Sequence, residues 1–399
     1  MQSSHTIYTI LGIIFGDEGK GKIVHSLTQS LARIKVTSEI LSNVLNYSSN
    51  VNISQPKPNS ILCVRYCGGS NAGHTICIEG VGKIFTRQIP TGILTPNVLC
   101  MIGPASLVNL SYLKEEIKSL EAIGITDIKN RLLISHTATV VTDEHIKRDI
   151  ESEAQLKIIG KSIGTTCNGI GPASSDKALR TAKIVRDFEE FKSICTVIDT
   201  EEFFYHNRAT PMQIIFEGAQ STELNIHGKN YPYVTSSITG HESIYSTGVY
   251  QNVKENRVIY VVKAYETYIG AGIFQPRGEV FEKIAADGLE FGTVTGDPRQ
   301  VAPFDIDRVS RSILRNCPKD ASPVLIINKG DVLETVAKKY PHLNPFLIKV
   351  SNQILEFDNF NLMKKYLEES FIKIGIALTN IVFTSTPYSD LDIWNSIKY

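Results

Sequence analysis

The stretch Thr9-Ile10-Leu11-Gly12-Ile13-Ile14-Phe15-Gly16-Asp17-Glu18-Gly19-Lys20-Gly21-Lys22-Ile23 decides how the chain is to be read. Its first seven residues are mostly apolar and predict a buried strand inside a longer apolar run at 7–15; the glycines then mark a tight turn, and helical spacing follows at 23–33. A strand, a Gly-rich turn and a helix in that order direct backbone N–H groups and the positive end of the helix at an anion, and Lys20 and Lys22 add charge. Gly16, Asp17, Glu18, Gly19, Lys20, Gly21 and Lys22 are therefore read as a phosphate loop. The stretch satisfies GxxxxGK, but Ile23 stands where a P-loop carries the Ser or Thr that binds magnesium. Asp17 is the substitute ligand, since a carboxylate beside phosphate oxygens suits Mg2+. A tight turn with solvated charges is the alternative reading.

Outward from this unit, apolar runs at 61–66, 97–103, 131–134, 213–216, 258–263 and 324–328 alternate with helical spacing at 111–123, 305–317 and 362–374. That alternation predicts an α/β fold on a mostly parallel central sheet flanked by helices. The segment 34–59 is rich in Ser and Asn, contains Pro-Lys-Pro, and is expected to be a surface insertion. No repeat and no linker divide the rest, so one domain is expected over 1–399.

With 42% hydrophobic and 21% charged residues among 399, the composition is that of a globular chain rather than a disordered one. Forty-one basic and 41 acidic residues supply no net charge to attract nucleic acid or an anionic membrane. No run of about 20 apolar residues is present to span a bilayer. The early apolar run lacks a basic start and a small-residue cleavage site, so it is read as a strand rather than a signal. Seven cysteines without a CxxC pair or a Cys/His metal spacing fit a reducing, cytoplasmic setting.

Two further stretches carry chemistry. In Cys67-Gly68-Gly69-Ser70-Asn71-Ala72-Gly73-His74-Thr75 the small residues allow close backbone approach, while Asn71 and His74 offer hydrogen bonds, and His74 is a candidate acid or electrostatic catalyst. Asn328-Lys329-Gly330-Asp331 follows an apolar strand. An Asp carboxylate there accepts both N1–H and the 2-amino group of guanine, a pairing adenine does not offer, while the Lys stem packs on the base; GTP is the expected phosphate donor. The loops 164–172, 216–220 and 231–237 have polar tips that serve structure or function equally when taken one at a time.

Taken together, the order GDEGKGK (16–22), NAGHT (71–75), GTTCNGIGPASSDK (164–177), FEGAQ (216–220), YPYVTSS (231–237), KAY with Thr267 and GAG (263–272), FGTVTG (291–296) and NKGD (328–331) resembles the adenylosuccinate synthetase family over nearly the whole chain. The length is closer to the shorter archaeal-like or viral forms. The resemblance implies a GTP-dependent ligase of purine biosynthesis that joins IMP and L-aspartate through a 6-phosphoryl-IMP intermediate. It implies catalytic roles for Asp17, Lys20, His74 and Gln220, with magnesium held by Asp17 and the Gly73 carbonyl. It places Asn71, Thr166, Gln220 and Thr235 on the substrate nucleotide, with Arg180 supplied by the second subunit of a homodimer. Lys329, Asp331 and Ser385 would read guanine.

Several positions depart from the family pattern. Ile14-Phe15 replaces a usual Gln-Trp, His25 a usual Asp, and Ser385-Thr386-Pro387 a usual STGP. The amine-substrate loop, normally TTGRRRR, reads Val294-Thr295-Gly296-Asp297-Pro298-Arg299-Gln300, and Asn168 replaces a usual arginine. Opposite charges about 4 Å apart gain roughly 4 kcal/mol at an effective dielectric near 20, so a carboxylate in place of a cation weakens the grip on aspartate unless the loop shifts and Arg299 takes over. A paralogue using a different amine or purine nucleotide, and a non-catalytic nucleotide binder, are the alternatives. Retention of Asp17 and NKGD speaks against the dGMP-aminating viral variant, and the absence of DxxG speaks against a GTPase switch.

Overall fold

The computed structural model describes residues 4–42, 56–250, 253–269, 278–292, 296, 298–377, 380–386, 388 and 391–397. Nine strands form one sheet in the order Ile381–Thr384, Ala321–Asn328, Glu255–Lys263, Thr6–Gly12, Met212–Ser221, Ser60–Arg65, Leu99–Ile102, Leu132–Ser135 and Thr196–Ile198. Every neighbouring pair is parallel. A parallel sheet must be covered on both faces, which explains why its strands read as continuous apolar runs rather than alternating ones.

Side chains alternate between two cores. Ile7, Leu11, Val258, Tyr260, Val262, Leu325 and Ile327 pack on one face. Tyr8, Ile10, Ile259, Val261, Val324 and Ile326 pack on the other. The strands therefore present their carboxyl ends along one edge, where ligands of open parallel sheets bind. Four of the stretches singled out in the sequence start at that edge: residues 13–22 after the first strand, 66–75 after Ser60–Arg65, the end of Met212–Ser221, and Asn328 with Lys329.

Local chemistry sets the helix starts. Asn109, Asp305 and Asn359 each accept a backbone N–H in the first turn of the helices Leu110–Ala122, Ile306–Asn316 and Phe360–Lys373. These helices sit within two residues of the spacing in the sequence. Two boundaries differ more. The first strand ends at Gly12 instead of Phe15, and its helix begins at Lys20 instead of Ile23. Both shifts come from Glu18, which captures the backbone of the intervening turn. The segment 34–59 is not simply a surface insertion, because Val36 and Leu41 are buried in the second core; residues 43–55 lie outside the described residues. No described helix is long and apolar enough to cross a membrane.

Candidate active site

The phosphate loop is tied from within. Ile14 and Gly16 donate their N–H groups to Glu18 Oε1 at 3.1 and 2.9 Å. Ser221 Oγ donates to the same oxygen at 2.5 Å, and Lys20 Nζ donates to Glu18 Oε2 at 2.8 Å and to Ser221 Oγ at 3.2 Å. Burial opposes the charge on Glu18, but Lys20, Ser221 and the Gly16 N–H outweigh it and hold the carboxyl below its usual range. Gly12 lies directly beneath this cluster, where a Cβ would collide with Ser221 and Glu18. Glu18 is thus the clasp of the loop, and its side chain is fully engaged.

The helix Lys20–Ala32 starts at Gly19, whose φ of 95° is left-handed, with no side-chain cap and no acidic residue in its first turn. Two lysines at the positive end of a helix are unfavourable on their own, and an incoming polyphosphate is their complement. Lys20 is buried against Glu18. Lys22 Nζ donates to Asn328 Oδ1 at 2.8 Å, Thr384 Oγ1 at 2.7 Å and the Thr386 carbonyl at 3.0 Å. Asn328 Nδ2 in turn donates to the Glu18 carbonyl at 2.7 Å. The phosphate loop and the NKGD motif are therefore stitched together through Asn328, with Ser385 exposed beside them.

His74 opens the antiparallel hairpin His74–Ile78 and Gly82–Thr86 and is buried. Its Nδ1 lies 2.5 Å from Glu217 Oε1, and Arg65 Nη1 sits 3.2 and 3.3 Å from the two ring nitrogens. Burial first, and Arg65 second, pull the imidazole down to about 4, so the ring is neutral at pH 7. Glu217 Oε2 accepts from Thr91 N at 2.8 Å and Thr91 Oγ1 at 3.1 Å. Despite burial, Arg65 and His74 draw Glu217 down to about 2. Gly21 permits the helix to lie on this group, since a Cβ there would meet His74 Cβ at 2.6 Å.

A cleft of about 530 Å³ has a lining that includes Gly16, Asp17, Asn71, Gly73, Thr166, Gln220, Thr235 and Arg299, while His74 is buried and does not line it. Asn71 Oδ1 and Gln220 Oε1 are buried with no hydrogen-bond partner among the described residues, an arrangement that a ligand completes. The loop carrying Thr166 is held by two carboxylates of the helix Asp143–Ile158. Asp149 accepts from Gly169 N at 2.9 Å, and Glu153 accepts from Ser162 Oγ at 2.5 Å and Gly164 N at 2.8 Å. Asn168 Nδ2 donates to the Thr166 carbonyl at 3.2 Å and so closes the loop on itself.

The far side of the cleft is organised by Glu290, which is 1% exposed. Its Oε2 accepts from Lys263 Nζ at 2.8 Å and Arg299 Nη1 at 2.7 Å. Its Oε1 accepts from the Tyr265 hydroxyl at 2.6 Å and Lys329 Nζ at 3.0 Å. Burial opposes this carboxylate, and Lys263 with Lys329 reverses the effect and keeps it below its usual range. Arg299 Nη2 also pairs with Asp17 Oδ2. Lys329 occupies a left-handed conformation with φ 62° at the start of the helix Gly330–Lys339, where Asp331 is in the first turn.

Among the residues expected from the sequence, Glu18, Gly19, Lys20, Gly21, Lys22, His74, Lys329, Asp331 and Ser385 do not line this cleft, and neither does Arg180, which caps the helix Ile170–Leu179 with φ 65° and is exposed. Val294, Thr295 and Asp297 lie outside the described residues. Sequence reasoning did not single out Arg65, Ser221 or Glu290, nor Asp149 and Glu153. A charge ending an apolar run marks Arg65. Glu290 immediately precedes FGTVTG but has no local signal.

The donor set fits magnesium in part. Asp17 supplies a carboxylate and Gly73 lines the same cleft with its carbonyl-bearing backbone, hard oxygen ligands of the kind that ion takes alongside phosphates. Arg299 must first yield its hold on Asp17. No group of three or more His, Cys, Asp or Glu side chains suited to a metal occurs among the described residues.

A parallel sheet carrying a helix-start phosphate loop stitched to an NKxD motif, with a polar cleft alongside, defines a nucleotide-binding α/β protein. The family model described as adenylosuccinate synthetase matches residues 57–196 and 183–339. A synthetase of that name from Coxiella burnetii is 34% identical over 372 residues, covering 82% of this chain and 77% of that protein. Another from Haemophilus influenzae is 34% identical over 350 residues, covering 77% and 73%. The chain belongs to the adenylosuccinate synthetase family of ligases. The fold agrees: fully ligated adenylosuccinate synthetase from Plasmodium falciparum superposes with a TM-score of 0.73 at 24% identity, covering 96% of this chain and 98% of that one. The cyanophage S-2L succinoaminodeoxyadenylate synthetase, bound to dGMP and dATP, superposes with 0.59 at 20% identity, covering 93% and 99%.

Proposed function

We propose that the protein uses GTP to activate IMP and joins it to L-aspartate, forming adenylosuccinate, GDP and phosphate. The observation that carries this reading is the convergence on one cleft of Asp17, Gly73, Asn71, Thr166, Gln220 and Thr235, next to a phosphate loop already bonded to the NKGD motif.

Asp17 takes the N1 proton of the purine as the 6-oxygen attacks the γ-phosphorus of GTP, and GDP leaves. The aspartate amine then attacks C6, forming the C–N bond as the C–O bond to phosphate breaks. Lys20 offsets charge on the transferring group from the floor of the loop. Asn71, Thr166 and Thr235 hold the nucleotide phosphate, Gln220 turns its unpaired oxygen to the purine side, and Lys329, Asp331 and Ser385 receive the guanine. His74 begins as a neutral ring shared with Glu217, and an anion arriving at the loop raises its proton affinity, as an acid requires. Magnesium, held by Asp17 and the Gly73 carbonyl, would offset phosphate charge. A homodimer completes the nucleotide site with the exposed Arg180 of a second copy.

A second reading concerns the amine. The charged residues among the described lining are Asp17, Asp149, Glu153 and Arg299, and that arginine is already shared by Asp17 and Glu290. With Asp297 in the loop sequence, this charge balance favours a less acidic amine than aspartate.

The test is phosphate release from GTP with IMP, with and without L-aspartate, alongside the ultraviolet change of a 6-aminated purine. Both signals at ordinary aspartate concentrations support the first reading. Amination with asparagine or another less acidic amine, but not aspartate, supports the second. No phosphate release with any purine monophosphate and amine rejects both.

A further inference from the structure

We propose that Glu290 is a positioning residue that couples the guanine-reading lysine to the amine loop, so that guanine preference depends on Arg299, a residue of the opposite group. The inference rests on the GTP reading above. One carboxylate holds both side chains: Oε1 takes Lys329 and Tyr265, and Oε2 takes Arg299 and Lys263. The two donors on Oε2 fix the rotation of the carboxylate, and that rotation determines whether Oε1 faces Lys329.

Lys329 depends on this hold. Its backbone is in the left-handed region, and its ammonium has two acceptors, Glu290 and the Gly288 carbonyl at 2.6 Å. Losing one loosens the turn that Lys329 forms at the start of its helix, and with it the setting of Asp331 in the first turn, whose carboxylate separates guanine from adenine. Arg299 extends the link, since its Nη2 reaches Asp17 in the phosphate loop. A single buried anion therefore links base pocket, amine loop and the proposed base catalyst. The three cations around Glu290 would repel one another without it, so no one of them is free to move alone.

The measurement is the ratio of dissociation constants for ATP and GTP, read by calorimetry without turnover. The ratio cancels phosphate contacts common to both nucleotides and isolates the base. In Glu290→Gln the guanine preference should fall about tenfold, the effect of weakening a charged hydrogen bond, and Glu290→Asp should restore part of it. Arg299→Met should lower the preference about threefold in the native background and leave it unchanged in the Glu290→Gln background. If Glu290→Gln does not fold, Arg299→Met decides alone. An intact preference that neither variant moves overturns the coupling and leaves the GTP reading standing. A native protein with no preference for guanine overturns both.

Discussion

Around Asn71 and Gln220 the cleft holds buried oxygens without hydrogen-bond partners, whereas around Glu18 and Glu290 both oxygens of each carboxylate are shared among cations, hydroxyls or backbone N–H groups. The first region is unfinished until a ligand arrives. The second is complete without one, and a ligand there must exchange partners rather than add them. An unsatisfied buried polar atom costs about 1–3 kcal/mol, which binding returns as affinity. The carboxylates at the centres of the closed networks, Glu18 and Glu290, act on affinity through the cations they hold in place. The contrast separates residues that bind from residues that position.

The sharpest way to break this contrast is at Asp17, which belongs to both regions. Asp17→Asn should lower turnover about 1,000-fold by removing the base while keeping most nucleotide affinity, measured by steady-state rates and equilibrium binding. Retention of turnover would return Asp17 to a structural role.

Breaking the closed side alone should act on stability. Glu18→Ala leaves Lys20 buried without its anion, and should cost about 3–5 kcal/mol in urea unfolding, with activity lost as the loop opens. A loss below about 1 kcal/mol would show that the loop does not depend on its clasp.

Between these in kind is His25, a buried group that does not line the cleft. Burial holds His25 down to about 3, well below an unfolded value near 6.5. The unfolded chain therefore binds the proton and the folded one does not, so this contribution is intact above pH 6.5 and declines as pH falls toward 3. Going from pH 7 to pH 5 should remove about 2 kcal/mol through this residue, and His25→Gln should lose that much less over the same interval.

The open side should show the smallest effect on folding and a clear one on binding. Asn71→Ala removes a buried oxygen that has no partner, so stability should stay within about 0.5 kcal/mol while KM for the purine nucleotide rises about tenfold. Equal losses in stability and binding would erase the distinction between the two regions.

Much of this was legible in the sequence. The alternation of apolar runs and helical spacing matches a nine-stranded parallel sheet, and GDEGKGK, NAGHT and NKGD all fall at its carboxyl edge. The errors lie where distant residues intervene. The first strand stops early because Glu18 takes the N–H groups of Ile14 and Gly16, and it is held to do so by Ser221, two hundred positions away in the chain. The segment 34–59 is rich in Ser and Asn and was expected on the surface, yet Val36 and Leu41 enter the core. Glu18 has no signal of its own within the glycine-rich stretch, and the fold pairs its side chain with Lys20.

Periodicity, glycine placement and motif order are local properties, and for this chain they were enough to determine the fold class and the family. The state of each charge was not local. Lys263, Arg299 and Lys329 come from three separate segments and meet on Glu290 only when the sheet aligns their ends. The same alignment makes His74 neutral, through burial and Arg65, and leaves Asn71 and Gln220 unpaired. Desolvation and ion pairing depend on distances of a few ångströms between residues far apart in the chain, so tertiary structure alone decided which polar groups are left open and which hold one another in place.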